Sequence, residues 1–455
     1  MISRLVARFL PGGAVLLSIL VFGSYLLGLV RDRMFARTFG AGPELDAYNA
    51  AFVLPELTLD VVVASGLAAP FVPIFLGLRA EDGDADGFAQ TILTGAVGVM
   101  LAAALLMFVF APQTTALIAP GFEGSQRDLY VGLFRVMLLT PIIFAASLSL
   151  GEVLLADRRF LPYGVAPLLY NAGIIIGTVA FSEVWGIFGP AIGAVIGALL
   201  HLAARLWGLR GTGFRIRARW AIHTRAVRDF VRLMLPKMAS HPVEPLTFLF
   251  FTRVATTLAA GSVTAVSFAR NFQSVPVSII GISFATAAFP TLAAAYANGD
   301  RRTFGTTLLT NLGVVTVLTT GAALILVLVG ALAIEILLGG GAFDADDVAL
   351  TAGVLTAFAI SIPFESATHL LSRAIYATRN TILQVLSSLA GFGVTIATTL
   401  ILVPDIGVSA IPLGFAAGMV VRVALLALSL GWRLRRWDAA QALGSTTTNL
   451  SSRSG

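Results

Sequence analysis

Residues Gly13 to Arg33 read GAVLLSILVFGSYLLGLVRDR, eighteen residues without a charge followed by Arg31-Asp32-Arg33. At about 1.5 Å of rise per residue, such a run crosses most of a hydrocarbon core roughly 30 Å thick. Arg4 and Arg8 precede it as they would a signal peptide. Charges rather than a small-residue cleavage site follow it, so it reads as an uncleaved first membrane helix. The rest of the chain has the same character. Its 455 residues are 57% AVILMFWYC and only 12% DEKR, with a mean hydropathy of +0.90, whereas a soluble domain is about a quarter charged. The 45 Gly and 19 Pro suit membrane helices, where neighbouring helices satisfy freed backbone groups. No cysteine is present, which excludes disulfides, thiolate metal sites and cysteine nucleophiles. The histidines at 201, 223, 241 and 369 are too scattered for a metal motif, so no metal and no cofactor is expected.

Working outward from the first span, twelve apolar segments can cross a bilayer: approximately 13–38, 46–78, 88–111, 128–155, 161–182, 186–208, 229–258, 263–296, 304–338, 348–377, 380–403 and 407–432. Arginine placement orients them. The N-terminus, the even-numbered loops and the tail hold eighteen arginines, and the odd-numbered loops at most four: Arg31, Arg33, Arg37 and Arg127. Cytoplasmic loops carry the excess of Lys and Arg, so both termini are expected in the cytoplasm. The densest basic run begins at Arg210, midway along the chain. It reads as a linker facing lipid headgroups, and nucleic-acid binding is not expected. The expected organisation is an N-terminal six-helix lobe over 1–209, a basic cytoplasmic linker over 210–228, a C-terminal six-helix lobe over 229–436 and a polar, disordered tail over 437–455.

The two halves echo each other. Phe71-Val72-Pro73 corresponds to Phe289-Pro290 at an offset of 217 residues. Gly121-Phe122-Glu123 corresponds to Ala342-Phe343-Asp344, and Ala156-Asp157-Arg158 to Ala377-Thr378-Arg379, both at 221. Six spans return the chain to the same side, so the repeats are parallel. The fold class is therefore an all-α polytopic membrane protein, with about twelve transmembrane helices in two six-helix lobes related by a parallel pseudo-repeat. Such repeats are the usual frame of a transporter that works by alternating access.

Charges inside the spans are the candidate functional groups, because burying one at mid-bilayer costs about 2.5–3.5 kcal/mol on the insertion scale. Arg31, Asp32, Arg33, Arg37, Asp46, Glu56 and Asp60 crowd the first two spans. Asp32 and Asp46 read either as cavity groups or as carboxylates that hold the turn by pairing with Arg33 or Arg37. Arg31 opposes the positive-inside bias, which favours a cavity role. In the seventh span Lys237, His241 and Glu244 share a helical face interrupted by Pro236, Pro242 and Pro245. That pattern suits a broken helix lining a cavity, or a snorkelling lysine partnered by Glu244. Glu365, His369 and Arg373 form a similar stripe in the tenth span, and Arg253 and Arg270 add cations to the second half. The balance leans cationic, which suits a phosphate-bearing cargo, since guanidinium presents a planar fork to phosphate oxygens.

Several motifs together resemble the MurJ (MviN) family of lipid II flippases, within the superfamily that includes multidrug and toxin extruders (MOP/MATE). They are Gly28-Leu29-Val30-Arg31-Asp32-Arg33, Phe39-Gly40-Ala41-Gly42, Asp46-Ala47, Leu54-Pro55, Pro167-Leu168-Leu169-Tyr170-Asn171, Gly261-Ser262-Val263, Phe289-Pro290-Thr291-Leu292 and Arg373-Ala374-Ile375-Tyr376-Ala377. The resemblance covers all twelve spans. It implies a flippase of the bacterial cytoplasmic (inner) membrane that carries lipid II from the cytoplasmic to the outer leaflet without chemistry, so no enzyme activity is expected. Its partners would be lipid II or a similar polyprenyl-pyrophosphate lipid and membrane lipids, acting on a monomer. On this resemblance Arg31, Arg270 and Arg253 are expected to contact pyrophosphate, with Tyr25 and Asn271 at the neighbouring substrate positions, although the family's Ala-Asp-Arg in the eighth span is here Ala269-Arg270-Asn271, which moves the cation by one position. Asp32, Arg33, Asp46, Glu56, Asp60, Lys237, His241, Glu244, Glu365, His369 and Arg373 are the structural or gating candidates. The chain departs from the pattern at Tyr25, where the family has an arginine, at Leu59-Asp60, where it has an arginine pair, and at Thr252-Arg253, where many members have Asp-Arg. These departures leave two rivals: a flippase for another polyprenyl-pyrophosphate-linked glycan, or a non-transporting lipid-binding paralogue. A polyprenyl-phosphate transferase would need a DDxxD-type motif, and Asp344, Asp346 and Asp347 approach it only in a short loop.

Overall fold

The computed structural model describes residues 12–240 and 243–451. The first span is α1 (Gly12–Phe39). The second is a continuous rod of α2 (Pro43–Leu59), a π-helical turn at Asp60–Ala64 and α3 (Ser65–Ala80). The third is α4 (Ala85–Val109), and the short α5 (Ala111–Ile118) follows it. Helices α6 (Gly124–Met137) and α7 (Leu139–Ala156) share the fourth span, α8 (Phe160–Trp185) is the fifth and α9 (Phe188–Gly208) the sixth. The seventh falls on α10 (Arg225–Ser240) and α11 (Val243–Ala255), and residues 241–242 between them lie outside the described residues. The eighth comprises α12 (Ser262–Pro276), a second π-helical turn at Val277–Ile282 and α13 (Ser283–Ala297). The ninth is α14 (Arg301–Leu337). The tenth is α15 (Ala345–Ala359) and α16 (Ile362–Ala377), bent by 43° where Pro363 removes a donor from the first turn of α16. Helices α17 (Ile382–Ile406) and α18 (Ala410–Ser451), joined by a 3₁₀ turn at Gly407–Ser409, make the last two.

Among the described residues nine helical stretches are long and apolar enough to cross a membrane, and the bent α15–α16 pair makes a tenth. The stretch Ile382–Arg435 is 54 residues long and reverses at Gly407, so it holds two spans. The seventh expected span falls on the shorter helices α10 and α11. Helix α18 continues to Ser451, where the Ser/Thr-rich composition predicts a disordered tail. Ala439, Ala440, Gln441, Ala442 and Leu443 are strong helix formers, and they extend the rod beyond Arg435.

The chain divides into two compact units, Met1–Thr264 with Glu335–Val348, and Ala265–Ile334 with Ala349–Gly455. The basic stretch 210–228 is thus interior to the first unit rather than its boundary. The first unit's core includes Phe71, Phe75, Phe88 and Phe230, whose rings follow one another at 5.3–5.9 Å between centroids. In the second unit Leu292, Phe304, Leu370, Ile375 and Leu426 are fully buried. The outer faces are apolar: Leu328 is 82% exposed and Ile401 71%. Contiguous apolar surface of this kind requires a lipid solvent.

The repeat is visible in the backbone of each unit. Arg158 (φ 56°) and Arg379 (φ 57°), at the offset of 221, both adopt the left-handed conformation just after a helix. Gly186 (φ 54°) and Gly407 (φ 58°) do the same at the turns into α9 and α18. Thr140 donates to the Met137 carbonyl at 2.8 Å and Ser361 to the Phe358 carbonyl at 2.7 Å, at the fourth-span and tenth-span breaks. The π-helical turns begin at Asp60 and Val277, the offset of 217 seen at Pro73 and Pro290. Two weakly similar sequences therefore place the same local irregularities at the same points of each repeat.

Candidate functional site

Two of the candidate arginines, one in each unit, sit in charged centres among apolar helices. In the first, Arg31 near the end of α1 donates through Nε (3.0 Å) and Nη2 (2.8 Å) to Asp32 Oδ1, and through Nη1 to Asn171 Oδ1 on α8 (3.2 Å). Asn171 in turn donates to the Ser24 carbonyl (3.4 Å), Ser24 Oγ (3.3 Å) and the Pro167 carbonyl (3.3 Å). The Arg31 guanidinium lies 6.0 Å from the Phe35 ring centre. Its side chain is 26% exposed against 12% for Asp32, so the cation keeps an accessible edge while the carboxylate is shielded. Tyr48 and Tyr170 are within electrostatic reach of Arg31, as is Glu56, which also feels Asp60. Of the expected carboxylates of the second span, Glu56 is exposed and Asp60 half-buried.

In the second unit Arg270 on α12 forms a two-pronged ion pair with Glu365 on α16, Nη2 to Oε1 at 2.7 Å and Nη1 to Oε2 at 2.8 Å. Gln273 donates to Glu365 Oε2 (2.7 Å) and to Ser361 Oγ (3.2 Å), and also accepts from Arg270. The Phe415 ring centre is 5.1 Å from the guanidinium. Both charged side chains are about nine-tenths buried. A fork-to-fork pair satisfies donors and acceptors together, which is the arrangement that tolerates removal from water. His369, one turn along α16, interacts with Glu365 electrostatically. Arg373, a further turn on, lies 5.6 Å from the Phe289 ring centre.

The turn between the first two spans departs from the expected pairing of Asp32 and Asp46 with Arg33 or Arg37. Asp32 pairs with Arg31. Asp46, 2% exposed, accepts from Gly261 N (2.7 Å), Thr264 N (2.8 Å) and Thr264 Oγ1 (2.7 Å). Arg33 donates to the Ile336 (2.6 Å) and Leu337 (2.8 Å) carbonyls, and Arg37 to Gly339 (3.2 Å), capping the end of α14, where helix carbonyls lack partners. Asp347 accepts from Ala41 N at 2.9 Å. These bonds draw the seventh-to-eighth and ninth-to-tenth connections onto the first unit. Gly261 must be glycine: its φ is +87°, and a Cβ there would meet the Ala41 carbonyl. Asp46→Asn would turn an amide N–H toward backbone donors, leaving buried donors unsatisfied. The expected loss is about 2 kcal/mol, read as a lower melting temperature and as faster hydrogen exchange at the Gly261 and Thr264 amides. Unchanged exchange at both amides would refute this latch.

The remaining expected residues are more dispersed. Arg253 donates to the Ala116 (2.6 Å) and Leu117 (2.7 Å) carbonyls, capping α5 and remaining outside both charged centres. Tyr25 is 68% exposed on α1. Asn271 and Glu244 are exposed. His241 and the Lys237 side chain lie outside the described residues.

Sequence reasoning missed Asn171 and Gln273 as partners of the two arginines, and a third buried group. Arg205 on α9 is 3% exposed, with its guanidinium 4.2 Å from the Tyr163 ring centre. One turn earlier His201 Nδ1 is 2.6 Å from Ser147 Oγ. The i, i+4 spacing of His201 and Arg205 was the available signal.

Residues 35–451 match the family model described as "Lipid II flippase MurJ". A Thermotoga maritima protein named "Probable lipid II flippase MurJ" is 28% identical over 410 residues, covering 90% of this chain and 83% of that protein. A Burkholderia cenocepacia protein named "Lipid II flippase MurJ" is 24% identical over 420 residues, covering 90% and 81%. The solved structure titled "Lipid II flippase MurJ, inward closed conformation" matches with a TM-score of 0.77 at 24% identity, over 92% of this chain and 87% of that one. An inward-facing MATE family transporter of the MOP superfamily matches at 0.77 with 14% identity, over 94% and 99%. Identities this low establish the shared fold alone.

Proposed function

The chain belongs to the MurJ family of lipid II flippases, and from that membership we infer that it carries lipid II from the cytoplasmic to the outer leaflet by alternating access. The observation that carries the reading for this chain's own residues is Arg31, a partly exposed guanidinium held by Asp32 and Asn171. In an apolar bundle an arginine cannot stand unpaired at low energy. Asp32 supplies the counter-charge through one oxygen, Oδ1, and a pyrophosphate would replace it, offering two oxygens to the same guanidinium. The exchange takes the cation from Asp32, 12% exposed at its side chain, so that carboxylate must gain a proton or another donor as the cargo binds. Arg270, already paired with Glu365, would act on the cargo after the same kind of exchange.

This reading places the protein in the bacterial cytoplasmic membrane as a monomer with both termini in the cytoplasm. It is tested by reconstituting the purified chain in proteoliposomes with lipid II and following arrival of the headgroup in the opposite leaflet. Protein-dependent translocation is expected. Tyr25 and Leu59-Asp60, where the family has arginines, favour one second reading, a flippase for a different polyprenyl-pyrophosphate-linked glycan. Translocation of such a lipid, with none of lipid II by the same folded protein, would select it.

A further inference from the structure

A cavity of about 550 Å³ opens where the start of α1, the Arg158-to-Phe160 connection and the end of α9 meet, far along α1 from Arg31. We propose that it binds the phosphodiester headgroup of an anionic membrane phospholipid. Three guanidinium side chains line it, those of Arg158, Arg159 and Arg210, and no carboxylate does. Asp157, the residue directly before Arg158, is already paired with Arg79. Arg159 is positioned by the chain itself, donating through Nη1 to the Gly208 (3.2 Å) and Arg210 (2.9 Å) carbonyls. Arg158 and Arg210 are exposed, and neither side chain has a hydrogen bond or ion pair among the described residues. The backbone at Arg158 is left-handed, φ 56°, and its N–H donates to the Leu155 carbonyl at 3.1 Å, which fixes where that arginine departs from the chain.

The rest of the lining is apolar or aromatic. Trp207 is 52% exposed and Leu161 44%, and Leu16 lines the wall from α1. Arginines beside an exposed tryptophan at the ends of membrane-length helices match the chemistry of the headgroup level, where aromatic rings and basic side chains meet lipid. Free phosphate and a lipid headgroup share the anionic oxygens that guanidinium recognises. The apolar rim decides for the lipid, since Trp207, Leu161 and Leu16 offer a path for acyl chains and nothing to a free ion. The arginine distribution assigns this end to the cytoplasmic face, so the occupant would be an inner-leaflet lipid such as phosphatidylglycerol.

The test uses the full chain in neutral detergent, titrated with phosphatidylglycerol, phosphatidylcholine or inorganic phosphate and followed by native mass spectrometry. Wild type is expected to retain phosphatidylglycerol but not phosphatidylcholine. Arg158→Gln/Arg210→Gln should bind phosphatidylglycerol about thirtyfold more weakly, the equivalent of roughly 1 kcal/mol for each basic residue near the membrane surface. Both residues are exposed, and melting of the variant in lipid-free detergent should match wild type. Retention undiminished in the variant would overturn the proposal. So would phosphatidylglycerol binding no tighter than inorganic phosphate, which would make the cavity a free-anion site. None of these readouts depends on lipid II transport.

Discussion

Arg31→Ala is expected to reduce lipid II translocation by at least about a hundredfold while membrane abundance is retained. Two charge-assisted hydrogen bonds to a pyrophosphate, at about 1.5–3 kcal/mol each, set that scale, because roughly 1.4 kcal/mol is a factor of ten. The substitution also leaves Asp32, 12% exposed at its side chain, without its cation, so lost transport could reflect lost stability. A second variant separates the two effects. Arg31→Ala/Asp32→Asn removes the stranded carboxylate, and Asn171 can still be hydrogen-bonded by Ser24 and Pro167. The double variant is expected to recover thermal stability and remain inactive. Recovery of transport along with stability would show that Arg31 only neutralises Asp32, and the cargo-binding role would be wrong.

Glu365→Ala is expected to be the most destabilising single substitution discussed for the second unit, by about 3 kcal/mol or more. Removing one member of a buried pair strands the other, a change that typically costs about 3–5 kcal/mol. Here Arg270 would lose both prongs, Gln273 would lose one of its two acceptors, and His369 would lose its electrostatic partner. Arg270→Ala/Glu365→Ala should melt higher than Glu365→Ala alone, because it deletes the stranded cation. That recovery is the coupling a double-mutant cycle measures. Additive melting shifts in detergent would mean that the two side chains are not the coupled pair described.

The legible parts of the fold were those encoded locally. The apolar runs and the echo between Ala156-Asp157-Arg158 and Ala377-Thr378-Arg379 are properties of short windows. Hydropathy and helical period act on such windows whatever the remainder of the chain does. The matched left-handed φ angles of Arg158 and Arg379 show how much of the repeat a three-residue motif carried. Arg31 and Asp32 were legible for the same reason, since a charge inside an apolar run is visible without a partner.

The partners themselves were not legible. Asp46 was expected to hold an arginine a few residues away, yet its bonds go to Gly261 and Thr264, more than two hundred positions along the chain. Arg253 was read as a cargo contact and caps α5. The boundary between compact units follows those long-range bonds and not the basic stretch that looked like a linker. By itself, then, the sequence determined that this is a twelve-span, two-repeat membrane protein with cations inside its helices. Only the tertiary structure decided which of those cations is capping a helix, which is locked in a buried pair, and which keeps an exposed edge. The reason is physical: a helix forms from local periodicity, whereas the state of a buried charge depends on whichever acceptor another helix brings within about 3 Å.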